Sequence, residues 1–145
     1  MTRLPSTLAL AGLLLASNVL ADGERSARRQ YLLHCTGCHQ ADGRGAPSSD
    51  VPDMRSLIGY MAHDPEGRAY LVKVPGVSNS ALNHADTARL LNWMLRSFSA
   101  ATLPAEFAPF TEAEVTRLRA APLDDVAATR ASVIQRLQAQ GLPVQ

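Results

Sequence analysis

The chain has 145 residues, 46% of them hydrophobic and 19% charged, which suits one small globular domain. With 14 basic against 13 acidic residues the formal net charge is +1, so the totals give no strongly charged face and nothing argues for a nucleic-acid partner. Aromatic residues make up only 5%, so a core of this size is easier to build around a further large apolar element.

Residues 1–21 read as a secretory signal peptide. Arg3 gives a short positive start, and Leu8 to Ala16 is apolar apart from Gly12. Val19-Leu20-Ala21 offers small or modest residues for recognition, with Asp22 opening a polar segment, so cleavage is predicted after Ala21. A membrane anchor is the alternative, but the run falls short of the roughly 20 residues a spanning helix needs. No cysteine stands at the cleavage point, so no lipid anchor is expected there. Loss of the leader removes Arg3 alone among the charged residues and brings the formal net charge to zero. In a bacterium the destination is the periplasm.

From Asp22 a helix is predicted to about His34, with Ala27, Tyr31 and Cys35 spaced i, i+4, i+8 on one face. Arg25, Arg28 and Arg29 lie off that face and read as solvated; a docking patch for a redox partner is the sharper alternative. The helix leads into Cys35-Thr36-Gly37-Cys38-His39, a C-x-x-C-H run, which is the attachment signature of a c-type haem. Two thiols must add across the two vinyl groups on one edge of a porphyrin. Two intervening residues let both sulfurs reach while the backbone stays in a tight turn. Cys35 and Cys38 would carry the thioether bonds, and His39 would bind the iron as proximal ligand. Three other readings exist. A thioredoxin-like dithiol wants a strand before the motif. A zinc site made of His34, Cys35, Cys38 and His39 would have its histidines abutting its cysteines, poorly placed to close a tetrahedron. A disulfide across two residues is a strained choice.

Residues 40–53 are predicted to be loop, rich in Gly, Pro, Ser and Asp, with Gly43-Arg44-Gly45 allowing a tight turn. A short helix follows from Arg55 to His63, and a third from Glu66 to Val74, with Asp64 as N-cap and Pro65 at its start. Pro75-Gly76 stops it. Asn83 caps a stronger helix, with Asp86 at the third position, whose apolar set is Ala88, Leu91, Met94, Leu95 and Phe98, flanked by Leu90 and Trp93. After a linker from Ser99 to Pro109, Thr111 and Glu114 form a capping box for a helix to about Ala120, which Pro122 breaks. Asp124 or Asp125 caps the last helix, with a buried stripe of Val126, Val133, Ile134 and Leu137, ended by Gly141 and Pro143. No segment carries a strand signal.

From about Arg25 to Phe98 the chain resembles a class I c-type cytochrome. The run C-T-G-C-H-Q-A-D-G-R-G, Cys35 to Gly45, looks like that family's haem motif and Gly-punctuated loop. Tyr31 stands four residues before the first haem cysteine, where the family usually has an aromatic. Asp64-Pro65-Glu66 and the following helix are similar to its middle helix, and Leu90-Leu91-Asn92-Trp93-Met94 to its last, with Trp93 packing across Tyr31. Pro52 falls where the family keeps a proline whose carbonyl accepts from the proximal imidazole, with Pro47 as the alternative. Met54 would then lie on the proximal side. The resemblance implies an all-α, cytochrome c-like helical fold around one covalently bound haem c over residues 22–100. Residues 101–145 form an extra C-terminal helical pair outside the resemblance.

The family usually places a Met in the loop before the last helix. Here that loop, Pro75 to Leu82, holds neither Met nor His, and a distal iron ligand must come from elsewhere or be absent. Met94 is the first candidate, although Met on an apolar helix face more often fills core. Met61 sits at a similar position, His84 in the first turn of a helix, His63 in a turn and His34 beside the motif; Asn79 or Asn83 would be weak ligands, and an empty or water-bound position is as good a reading. Three functions follow. The first is a soluble electron carrier passing single electrons from an exported dehydrogenase to an oxidase or reductase. The second is a haem subunit of a larger oxidoreductase, docked through the C-terminal helices. The third is a haem enzyme or gas-binding protein with an open sixth position. No acid–base pair or nucleophile near the motif suggests catalysis by the protein's own side chains.

Overall fold

The structure, a computed structural model, describes residues 22–49 and 51–144. The predicted leader, residues 1–21, lies outside them. Eight helices make up the described chain: α1 (residues 22–34), α2 (Thr36–His39), α3 (Leu57–Met61), α4 (Pro65–Lys73), α5 (Pro75–Ser78), α6 (His84–Ser99), α7 (Glu112–Arg119) and α8 (Val126–Ala139). Single 3-10 turns occupy Pro47–Ser49 and Ala100–Thr102. Among the described residues there is no strand, only an isolated antiparallel bridge between Ala46 and Val51. The fold is all-α, as expected.

The helix starts follow the expected caps. Asp64 Oδ1 accepts from Gly67 N at 2.8 Å, Asn83 Oδ1 from Asp86 N at 2.8 Å, and Asp125 Oδ1 from Ala128 N at 2.8 Å. The Thr111 hydroxyl accepts from Glu114 N at 3.1 Å, but the Glu114 carboxylate takes Arg68 as its partner, so that box is half made. Several bounds differ from expectation, and α3 stops at Met61, two residues before the expected His63. Helix α3 starts at Leu57, two residues late, because the Asp53 carboxylate holds Arg55 N at 2.8 Å and Ser56 then turns at φ +68°. Helix α4 ends at Lys73, since Val74 is pushed to an extended ψ of 140° before Pro75. Pro75 then opens the extra turn α5, so the expected loop is half helical.

Helix α6 is the centre of the core. It buries Ala88, Leu90, Leu91, Met94 and Leu95, and also Thr87, Asn92 and Ser99. Leu90 is more deeply buried than a flanking residue should be, and Phe98 and Trp93 less so. The reason is that α6 is covered on a second side by α7, and α4 by both α7 and α8. Phe110, Val115, Leu118, Val133 and Leu137 enter the same core as Tyr31 and Met54. Val126 and Ile134 only border it. Each fully buried aliphatic here is worth about 1.5–3 kcal/mol. Two glycines permit the close approach: a Cβ at Gly67 would meet Val133 of α8 at 2.9 Å, and one at Gly59 would meet the Ser99 carbonyl at 2.7 Å.

Polar side chains clip the C-terminal helices on. Arg136 of α8 holds buried Asp64 with two hydrogen bonds of 2.9 Å and reaches Glu66 at 2.7 Å. Arg68 of α4 pairs with Glu114 of α7 at 2.7 and 2.8 Å and lies 3.9 Å over the Phe110 ring. The Asn92 amide satisfies both backbone groups of Phe110, at 2.9 and 2.7 Å.

Candidate functional site

The C-x-x-C-H run is a single helical turn. Cys35 N donates to the Tyr31 carbonyl at 2.9 Å, and His39 N to the Cys35 carbonyl at 2.9 Å, so the motif continues from α1 into α2. Cys35 is half-buried, Cys38 is exposed, and both are free thiols. Burial raises the Cys35 thiol to about 11, which keeps it protonated and is the opposite of what a redox dithiol needs. Among the described residues no three His, Cys, Asp or Glu side chains gather as metal ligands, so His34, Cys35, Cys38 and His39 do not form a zinc site. Leu32 and Leu33, 42% and 76% exposed, lead into the cysteines and leave apolar surface uncovered beside the motif.

The segment after the motif folds back over His39. Tyr31 Oη donates to the Gln40 carbonyl at 2.6 Å, Gly45 N donates to the His39 carbonyl at 3.1 Å, and Met54 N donates to the Gly43 carbonyl at 2.8 Å. Gly43 and Gly45 both have positive φ, +78° and +67°. A Cβ at Gly45 would collide with the carbonyls of Val51 and Pro52. That crowding lets Pro52 approach the imidazole. Burial, the larger effect, lowers the His39 pKa, while the Pro52 carbonyl raises it. A neutral imidazole is the form that binds iron. His39 Nδ1 is buried with no hydrogen bond of good geometry. Two free thiols one turn apart, a neutral histidine next to them and uncovered apolar surface fit a porphyrin attached at this turn, with Cys35, Cys38 and His39 as the residues that would hold it.

Behind the motif, Tyr31 packs on Trp93 with ring centroids 5.4 Å apart and on Phe98 at 5.1 Å, the pairing of α1 with α6 that the resemblance implies. The distal candidates are scattered. Met94 and Met61 are buried among core side chains, and His34 is exposed. His84 Nδ1 is 2.7 Å from the Thr116 hydroxyl, and His63 Nε2 is 2.9 Å from the Thr102 carbonyl, so His63 is more engaged than its turn position suggests. Residues 75–82 are tied to a side chain that sequence reasoning missed. The Arg119 guanidinium donates to the carbonyls of Val77, Ser78, Ser80 and Leu82, at 3.2, 2.7, 2.9 and 2.8 Å.

A helical domain whose first helix ends in an attachment turn of this kind is the architecture of a cytochrome c. A cytochrome c-552 of Thermus thermophilus is 31% identical over 134 residues, covering 80% of this chain and 84% of that protein. A second cytochrome c-552 from Thermus thermophilus is 30% identical over 107 residues, covering 61% of this chain and 81% of the relative. The chain belongs to the c-type cytochromes, electron-transfer proteins built around haem. No family model matches it, and no solved structure matches it. Residues 1–100 are only 69% of the chain, so the 80% match runs into the C-terminal helices, which lie outside the resemblance drawn from the sequence.

Proposed function

We propose that the mature chain is a monohaem electron carrier of the bacterial periplasm, released from its leader after Ala21. One haem c is held by thioethers to Cys35 and Cys38, with His39 as the proximal iron ligand and the Pro52 carbonyl orienting the imidazole. Residues 22–100 form the cytochrome domain and 101–145 its helical extension. When bound, haem c supplies the one-electron ferric/ferrous couple. The chain's own residues place it: α1 and α2 present the two thiols, burial keeps His39 neutral, and Gly45 lets Pro52 close on the ring. Partners would be an exported dehydrogenase as donor and an oxidase or reductase as acceptor. The observation that carries the reading is the pair of free thiols, Cys35 and Cys38, in one helical turn with the His39 imidazole beside them. Extraction of the purified protein with acid acetone tests it: the haem should stay with the polypeptide, and release would refute attachment. A reversible redox titration should then show one electron per chain.

A second reading, an open distal position that binds small molecules, is favoured by one observation. Residues 75–82 carry no Met or His and have four carbonyls turned toward Arg119. Met94 remains the candidate distal ligand within the chain. The oxidised spectra of Met94→Ala, Met61→Ala and His84→Ala separate the two: loss of a thioether-to-iron band in Met94→Ala alone identifies Met94, and three unchanged spectra with ready carbon monoxide binding by the reduced wild type identify an open position.

A further inference from the structure

One cation in the C-terminal helices serves a distant segment of the chain rather than its own helix. Arg119 ends α7, where a basic residue would ordinarily meet its own helix's carbonyls or a carboxylate. Instead its guanidinium crosses to residues 77–87. Nε donates to the Ser78 carbonyl at 3.2 Å, and Nη1 to the Leu82 carbonyl at 2.8 Å and the Thr87 hydroxyl at 3.3 Å. Nη2 donates to the carbonyls of Val77, Ser78 and Ser80, with the Ser80 hydroxyl at 3.5 Å. Several main-chain oxygens in six residues therefore face a single rigid fork that is delivered from about forty positions downstream. A planar guanidinium with its donors in fixed directions can impose one shape on such a turn; an ammonium could satisfy only part of the set. The segment's other anchors are its own α5 turn, closed by Ser78 N and Asn79 N, and the core, on which Val77 and Leu82 rest.

We propose that Arg119 is a positioning residue of the haem pocket: it fixes the shape of the Val77–Leu82 segment and thereby sets how readily an external ligand reaches the iron on the side opposite His39. This rests on the proposed function and on the further proposal that the loop before α6, where the resembled family carries its distal ligand, forms the distal wall. Two consequences follow from the geometry. Carbonyl oxygens committed to Arg119 are not offered as ligands to the iron. A wall held by a side chain of the extension also makes access to the distal side depend on α7 staying docked.

The test uses the full-length ferric holoprotein, with imidazole as the probe ligand. It compares Arg119→Gln, Arg119→Lys and, as a control for loss of stability that leaves the α7 contacts in place, Arg136→Met, which loosens α8 only. Arg119→Gln should shift the Soret maximum and change the imidazole dissociation constant by roughly fivefold or more, the lower end of ordinary coupling between sites. Arg119→Lys should lie between it and the wild type, and serves as the test if Arg119→Gln does not accumulate. Arg136→Met should lower the thermal midpoint and leave both the Soret maximum and the imidazole affinity as they are. If both Arg119 variants lower the thermal midpoint but keep the wild-type spectrum and affinity, Arg119 is only a structural clip and the proposal is wrong. Val77→His separates the underlying reading. A changed spectrum in Val77→His beside silent Arg119 variants overturns the role of Arg119 alone. Silence in all of them overturns the distal wall and the proposal together.

Discussion

The two ends of the described chain are held by different physics. Around the haem-attachment turn, residues 31–54 are organised by their own backbone: hydrogen bonds between near neighbours, two positive-φ glycines and a 3-10 turn. Residues 104–144 are held by side chains that reach across the molecule, Arg136 to Asp64 over 72 positions, Arg68 to Glu114 over 46 and Arg119 to Ser78 over 41. A local motif keeps its shape from its own sequence and can be left with exposed apolar surface for a cofactor to cover. A distant segment must be captured, and paired charges and fully satisfied amides capture it in one register.

The sharpest break in this comparison comes from the motif end. The double variant Cys35→Ser, Cys38→Ser should lose the covalent haem and with it the cooperative thermal transition, since a small domain with few rings loses its central apolar element. The readouts are haem staining on a denaturing gel and the melt followed by circular dichroism. A transition near the holoprotein midpoint would show that the helices and their clips suffice without haem.

The next largest effect lies where the two regions meet. Tyr31, Trp93 and Phe98 form a three-ring cluster joining α1 to α6, with the Trp93 and Phe98 rings 5.4 Å apart, edge to face. Truncating a core aromatic costs about 3–5 kcal/mol. Because Trp93 is only partly buried, Trp93→Ala should fall near the lower end, measured by denaturant unfolding of the holoprotein. A loss below about 1 kcal/mol would mean that the attachment turn is held by its backbone alone.

The captured end should respond to acid. The two Arg136 hydrogen bonds are the first cause holding the Asp64 carboxyl below its usual range, and those of Arg68 do the same for Glu114. A carboxyl with a depressed folded pKa contributes stability that is present above its unfolded value, about 4, and is lost as pH falls through the folded value. Arg136→Met leaves nearly buried Asp64 with its cap alone. Losing one partner of a fully buried pair costs about 3–5 kcal/mol, and about 2–3 is expected here because Arg136 is partly solvated. The difference in thermal midpoint between wild type and Arg136→Met should therefore be full at neutral pH and shrink as pH falls below about 4. A difference independent of pH would make the loss one of packing rather than charge.

How much was legible in the sequence follows the same division. The caps Asp64, Asn83, Thr111 and Asp125 are short-range signals, and the structure carries each of them in the expected place. The Tyr31–Trp93 contact, implied by the resemblance, is there as well, while Cys35, Cys38 and His39 are legible as a spaced motif whose proposed role is for experiment to test. The α6 stripe was legible as one face only, because what buries Leu90 and Asn92 is α7 and Phe110, far away in sequence. Arg68, Arg119 and Arg136 look like ordinary solvated charges on helices. Nothing local marks Arg119 as the partner of four carbonyls, and α5 was hidden because Pro75 both ends one helix and starts another.

The smallest effect expected tests whether the kind of pair or its setting decides. Arg44–Asp42 and Arg68–Glu114 use the same chemistry at similar distances, 3.1 and 2.7 Å. The first pair stands near the attachment turn with side chains 63% and 49% exposed, the second between α4 and α7 with both at 19%. In water the Coulomb gain of an exposed pair is offset by side-chain ordering and screened by salt. The second pair is shielded and stacked on the Phe110 ring. Asp42→Asn should thus leave the thermal midpoint within the scatter of repeat measurements, at low and at high salt alike. Glu114→Gln should lower it measurably and keep most of that loss in high salt. If Asp42→Asn costs as much as Glu114→Gln, the attachment end is not held by its backbone, and the contrast between the two regions fails.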